Sequence, residues 1–164
     1  MLKVLILCTG NSCRSIMAEA ALNHLGRGRV HAESAGSKPT GQVHPNSPRL
    51  LQSKGIATDG MHSKSWDVFS DTSFDAVITV CDQAAGESCP VFPGAPVKAH
   101  WGVPDPAHAT GTDAEIMAVF ESSYGILAAR IHALLQMPLE TMSPQVLQTG
   151  LREIGQNILT ADAA

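Results

Sequence analysis

The sequence predicts an α/β domain built on a parallel sheet, and three observations lead there. Leu2 to Leu7 is a continuous apolar run without the alternation of a half-solvated strand, as a strand buried on both sheet faces requires. From Ser15 the apolar spacing becomes helical, and strand-like and helix-like segments alternate along the chain. Such alternation packs as a parallel sheet with right-handed crossovers. The 164 residues suffice for one core and are too few for two comfortable ones.

Each element has its own signal. Ile16, Ala20, Leu22 and Leu25 form the stripe of a first helix, stopped by Gly26 to Gly28. Val30 to Ser34 reads as a second strand. His44-Pro45 starts a helix carried by Leu50 and Leu51 and ended by Gly55. Phe74 to Val80 is the clearest later strand, and Val97 to Trp101 is a shorter one. Cys81 to Ala95, dense in Gly, Pro and Ser, is a loop between them. Thr112 to Leu135 carries Ile116, Val119, Phe120, Leu127, Ile131 and Leu134 at helical spacing, with Gly125 a point where it is expected to bend. Met137-Pro138 breaks the pattern. Gln145 to Leu159 then predicts a terminal helix with Val146, Leu147, Leu151, Ile154 and Ile158 on one side.

Composition narrows the function. A hydrophobic fraction of 44% and a charged fraction of 16% fit a globular domain rather than disorder or a coiled coil. Only 4% of residues are aromatic and the net charge is -4, which argues against a nucleic-acid surface and requires any anion site to make its positive potential locally. The apolar start, Met1 to Leu7, is shorter than a signal-peptide core, and no run approaches a membrane span. The expectation is a cytoplasmic protein whose four cysteines are thiols. No short Cys-x-x-Cys pair or ligand-like histidine spacing signals a metal site.

Cys8-Thr9-Gly10-Asn11-Ser12-Cys13-Arg14-Ser15 joins the first strand to the first helix. Gly10 and Ser12 are small enough to let successive backbone N–H groups turn inward around a tetrahedral anion, and the helix N-terminus adds positive potential. Arg14 offers a planar fork to two anion oxygens. Thr9, Gly10, Asn11, Ser12, Cys13, Arg14 and Ser15 therefore read as an oxyanion-binding loop. The same field predicts a depressed pKa for Cys8, making it a thiolate nucleophile near neutrality, with the Ser15 hydroxyl bonded to its sulfur. Cys13 reads as packing rather than chemistry. A buried strand-end cysteine beside an ordinary surface arginine is the bland alternative, and the placement of the pair disfavours it.

This wording resembles the signature loop of the low-molecular-weight protein tyrosine phosphatase superfamily, in its arsenate reductase branch. The resemblance covers Leu2 to about Leu135. It implies one domain over residues 1–136, a four-stranded parallel sheet flanked by helices, with residues 137–164 a C-terminal extension of one helix. It also implies that Asp105, in His100-Trp101-Gly102-Val103-Pro104-Asp105-Pro106-Ala107, is the general acid that protonates the departing oxygen. Phosphatases of the superfamily carry an aromatic residue just after the Asp-Pro, where this chain has Ala107.

The resemblance further implies a relay in which Cys8 bonds to arsenate, Cys81 displaces arsenite from it, and Cys89 attacks Cys81 to leave an exposed disulfide. Seven residues separate Cys81 from Cys89, slightly more than in the best-known members. Arsenate is the implied substrate, with phosphate or sulfate competing, and thioredoxin or a glutathione/glutaredoxin donor the implied reductant. No cofactor is needed and a monomer is expected. Some members hold a potassium ion beside the loop, where Asn11, Glu19 and Ser34 fall, although Asn11 reads better as a brace. A tyrosine phosphatase and a non-catalytic phosphopeptide adaptor are the competing readings.

Overall fold

The strands form one parallel sheet. β1 (Leu2–Cys8) pairs with β2 (Val30–Gly36) on one side and β3 (Ala76–Thr79) on the other, and β3 carries β4 (Val97–His100), giving the order β2-β1-β3-β4. The computed structural model describes residues 1–81 and 92–157. Register aligns Cys8 with Gly36, Leu7 with Thr79 and Thr79 with His100, so the chain leaves β1, β3 and β4 at the same edge of the sheet. That carboxyl edge is where open parallel sheets bind ligands.

The apolar run Val4 to Cys8 of β1, which follows the exposed Lys3, is explained by burial on both faces. Val4, Ile6 and Cys8 join the larger core cluster. Leu5 and Leu7 face a smaller cluster with Val77, Phe74 and Phe92, against which Trp66 and Phe69 pack. The larger cluster takes apolar residues from four helices: α1 (Arg14–Leu25), α2 (Asn46–Ser53), α3 (Asp113–Leu135) and α4 (Pro144–Asn157). α3 opens with a capping box in which Glu115 N–H donates to Thr112 Oγ1 at 3.2 Å and Thr112 N–H to Glu115 Oε1 at 3.3 Å, a device worth about 1 kcal/mol. It runs through Gly125 without interruption, because packing on α1 and α2 holds the turn that propensity alone would loosen.

Several elements differ from expectation. The third strand is Ala76–Thr79, shorter than Phe74 to Val80, because Phe74 turns into an aromatic cluster edge-on to Phe69 and Phe92 at centroid distances of 5.5 and 6.1 Å. A short 3-10 turn, Trp66–Phe69, carries no apolar period in the sequence and closes the smaller cluster. In α1, Met17, Ala18 and Ala21 are buried while Ala20 and Leu25 are half-buried, since this helix packs against both the sheet and two helices. In α4, Leu147, Leu151 and Ile154 are buried as expected, but Val146 lies outward and 55% exposed. Ile158 and Leu159 lie outside the described residues.

Candidate active site

The loop after β1 is shaped by what holds its carbonyls. Thr9 O accepts from Lys38 N–H at 3.0 Å, and Gly10 O accepts from Thr40 N–H at 3.0 Å and from the Ser63 hydroxyl at 3.1 Å. Ser12 O accepts from His44 N–H at 3.1 Å and from the Ser47 hydroxyl at 3.0 Å. Drawing these carbonyls outward leaves the loop's amides available to turn toward its centre, as an anion-binding concavity at a helix N-terminus requires. Asn11 takes the left-handed conformation (φ 47°) that such a turn requires. Its side chain donates to Ser15 Oγ at 2.8 Å and Ser34 Oγ at 3.0 Å and accepts from Lys64 N–H at 2.9 Å. Asn11 thus braces the loop from behind.

Gly36 makes this approach possible. A Cβ there would stand 2.4 Å from the Thr9 carbonyl oxygen and 3.0 Å from that of Cys8. Only a residue without a side chain lets β2 lie so close beneath the loop.

Arg14 spans the site. Its Nη1 donates to Val103 O at 2.9 Å, its Nη2 lies 3.3 Å from Asp105 Oδ2, and its buried Nε has no partner. A buried, unused guanidinium donor costs free energy that an arriving anion oxygen would recover. Asp105 accepts from Ala107 N–H at 3.0 Å, which starts the short 3-10 turn Pro106–His108. His108 Nε2 lies 3.4 Å from the same Asp105 oxygen, on the outer rim. Thr9, Gly10, Arg14, Cys81, Val103, Asp105 and His108 line one cleft.

Cys81 lines this cleft, and the buried Cys8 lies beside it at the end of β1. Their thiols are in hydrogen-bonding contact, and Cys81 Sγ lies 3.5 Å from Thr9 Oγ1. The contact with Cys81, and then burial, hold the Cys8 thiol well above its ordinary range, outweighing the Arg14 charge and the Thr9 amide, which lower it. The expected depressed pKa is therefore corrected. That expectation counted the loop's donors and Arg14 but not a second thiol alongside. Cys13 is also buried, and burial above all pushes its thiol up to about 11, as suits packing. Cys89 lies outside the described residues.

Ser15, read from the sequence as a donor to the Cys8 sulfur, accepts at its Oγ from Asn11 Nδ2 at 2.8 Å. Behind the loop, where some members of the resembling family hold a potassium ion, Glu19 is met by Lys64 Nζ at 3.8 Å. Burial raises the Glu19 carboxyl and Lys64 opposes it. No cluster of three or more potential metal ligands occurs among the described residues. None of their helices is long and apolar enough to cross a membrane.

Sequence reasoning missed the residues that hold the acid loop. Arg130, fully buried, donates from Nη1 to Gly102 O at 3.0 Å, and the Ser123 hydroxyl donates to Pro104 O at 3.1 Å. One signal was available for Arg130, an arginine interrupting the Leu127, Ile131, Leu134 stripe. Ser63, Ser47 and Lys64 carried none, because their roles depend on contacts far along the chain.

Comparison with known proteins agrees with this geometry. Residues 3–143 match the family model described as low molecular weight phosphotyrosine protein phosphatase. An arsenate reductase of Bacillus licheniformis is 39% identical over 129 residues, covering 78% of this chain and 91% of that protein. A glutaredoxin arsenate reductase of Synechocystis is 29% identical over 135 residues, covering 82% and 97%. A solved structure described as an arsenate reductase in the phosphate binding state superposes with a TM-score of 0.69 at 29% identity, covering 83% of this chain and 98% of that one. With a family-model match over residues 3–143 and a relative 39% identical over most of its length, this chain belongs to the low molecular weight phosphotyrosine protein phosphatase family.

Proposed function

We propose that this chain reduces arsenate to arsenite by a thiol relay that begins at Cys8. The reading is carried by the hydrogen-bonding approach of the Cys8 and Cys81 thiols at the base of the cleft that Cys81, Arg14 and Asp105 line. A phosphatase needs one thiol there, whereas reduction of arsenate requires two. The arsenate reductases among its relatives point the same way.

Arsenate enters the loop, where the inward amides and the Arg14 Nε and Nη groups take its oxygens. The Cys8 thiol passes its proton to an arsenate oxygen and its sulfur bonds to arsenic. The Asp105 carboxyl protonates the departing oxygen, which leaves as water. Cys81 then attacks the Cys8 sulfur. The sulfur–arsenic bond breaks with its electron pair going to arsenic, the Cys81 proton goes to an arsenic oxygen, and arsenite leaves a Cys8–Cys81 disulfide. Cys89 attacks Cys81, restoring the Cys8 thiol and leaving a Cys81–Cys89 disulfide. A thioredoxin-type or glutaredoxin-type dithiol reduces that disulfide, and the cytoplasm is the compartment that keeps such donors reduced.

Mass mapping of disulfides after one turnover with arsenate tests the route. The full chain should show Cys81–Cys89, a Cys89→Ser variant should stop at Cys8–Cys81, and arsenite should be released in both. Steady-state arsenite production persisting in Cys81→Ser and Cys89→Ser variants would reject the relay. Fast phosphotyrosine hydrolysis indifferent to both substitutions would favour a phosphatase instead.

A further inference from the structure

The acid loop is held along the stretch that leads to Asp105. Arg130, Arg14 and Ser123 take the carbonyls of Gly102, Val103 and Pro104. At its start stands Trp101, 2% exposed, and its partner is α4, which begins at Pro144, one residue past the stretch matched to the family.

Three features seat α4 against β4 and Trp101. The Trp101 indole N–H donates to Leu151 O at 2.9 Å in a buried setting. Gln148 Oε1 accepts from Lys98 N–H at 3.3 Å while Arg152 Nε donates to Lys98 O at 3.2 Å, so one turn of α4 occupies both outward backbone groups of this edge-strand residue. Gly155 lies so near that a Cβ would stand 2.4 Å from His100 O and 2.8 Å from Trp101 Cδ1. The inner side of the same segment is fixed to the sheet, with Trp101 N–H donating to Thr79 O at 2.7 Å and Val103 N–H to Val80 O at 3.0 Å. Trp101 is thereby clamped between α4 and β3, four residues ahead of Asp105.

We propose that α4 is a positioning element for the general acid, acting through Trp101. The inference rests on the reading of Asp105 as that acid. The hydrogen bond to Leu151 and the close seat at Gly155 fix where the chain leaves β4, and with it the reach of Asp105 toward the loop. Asp105 touches the reacting oxygen, and Trp101 acts only through it. Displacing the start of the loop should therefore slow proton delivery while leaving the oxyanion's own ligands in place.

The test is a double-mutant cycle with Asp105. Trp101→Phe, which keeps a buried ring and removes the N–H donor, should lower kcat about ten-fold, with KM for arsenate changed by no more than about two-fold. In an Asp105→Asn background the same substitution should cause no further loss, because there is no longer an acid to misplace. Gly155→Ala, whose added methyl meets His100 O and the edge of the Trp101 ring and forces helix and strand apart while leaving the indole N–H donor in the chain, provides a second route and should give the same pattern. An unchanged kcat in both variants, or losses that multiply with that of Asp105→Asn, would overturn the inference while leaving the acid reading intact. Full activity of Asp105→Asn alone would instead reject the acid reading, and the positioning role with it.

Discussion

The Thr9 hydroxyl oxygen lies 3.5 Å from the Cys81 sulfur, so a side chain of the anion loop reaches the residue two positions past β3. Loop and second thiol are one constellation, because β1 and β3 are neighbours in the sheet and end at the same edge.

Removing the second thiol should therefore change the first. Cys81 is the largest influence holding the Cys8 thiol high. In Cys81→Ala the Cys8 pKa should fall, and the thiolate fraction at neutral pH should rise. The pH dependence of iodoacetamide alkylation, followed by mass at Cys8, would move to lower pH. Alkylation slower than in the parent at every pH would contradict the assigned cause.

Arg14 engages Val103 through Nη1 and Asp105 through Nη2, and keeps a buried Nε without a protein partner. A lysine carries the charge but not the fork. Arg14→Lys should reduce kcat/KM for arsenate about a hundred-fold and weaken competitive inhibition by phosphate. A near-normal inhibition constant for phosphate would show that charge alone suffices.

Gly36→Ala should displace the anion loop, since the added Cβ meets the Thr9 carbonyl, a backbone atom that cannot swing aside. The expected cost is about 1–3 kcal/mol in urea unfolding, the usual range for overpacking, with loss of phosphate binding by calorimetry. Unchanged phosphate affinity would mean that the loop can shift without losing its shape.

Glu19 provides a pH signature. Its carboxyl is raised by burial, so the folded chain holds that proton more tightly than the unfolded chain does. Its contribution to stability is full below the unfolded value of about 4.3, and is lost as pH rises through the raised folded value. Glu19→Gln does not titrate, so its stability relative to the parent should climb from about pH 4 upward. Urea unfolding at a series of pH values checks this, and a difference independent of pH would refute the assigned direction.

Much of the site was legible because its parts are local. The stretch from Cys8 to Ser15 announces a strand end, a tight loop and a helix start within eight residues, and Asp105 stands beside a proline in a segment that cannot continue a strand. The raised Cys8 thiol was not legible, because it arises from a sulfur 73 positions away that the β1–β3 pairing brings alongside.

By itself the sequence determined the parallel sheet and the strand–loop–helix that carries Cys8 and Arg14, since apolar period and small-residue turns act over a few neighbouring residues, while the acid role of Asp105 came from the family resemblance and is a proposal. Tertiary structure decided the protonation of Cys8, the pairing of Glu19 with Lys64, and the clamps of Arg130 and Leu151 on the acid loop. Those depend on burial and on groups that approach only when distant segments pack, and neither has a local period to read.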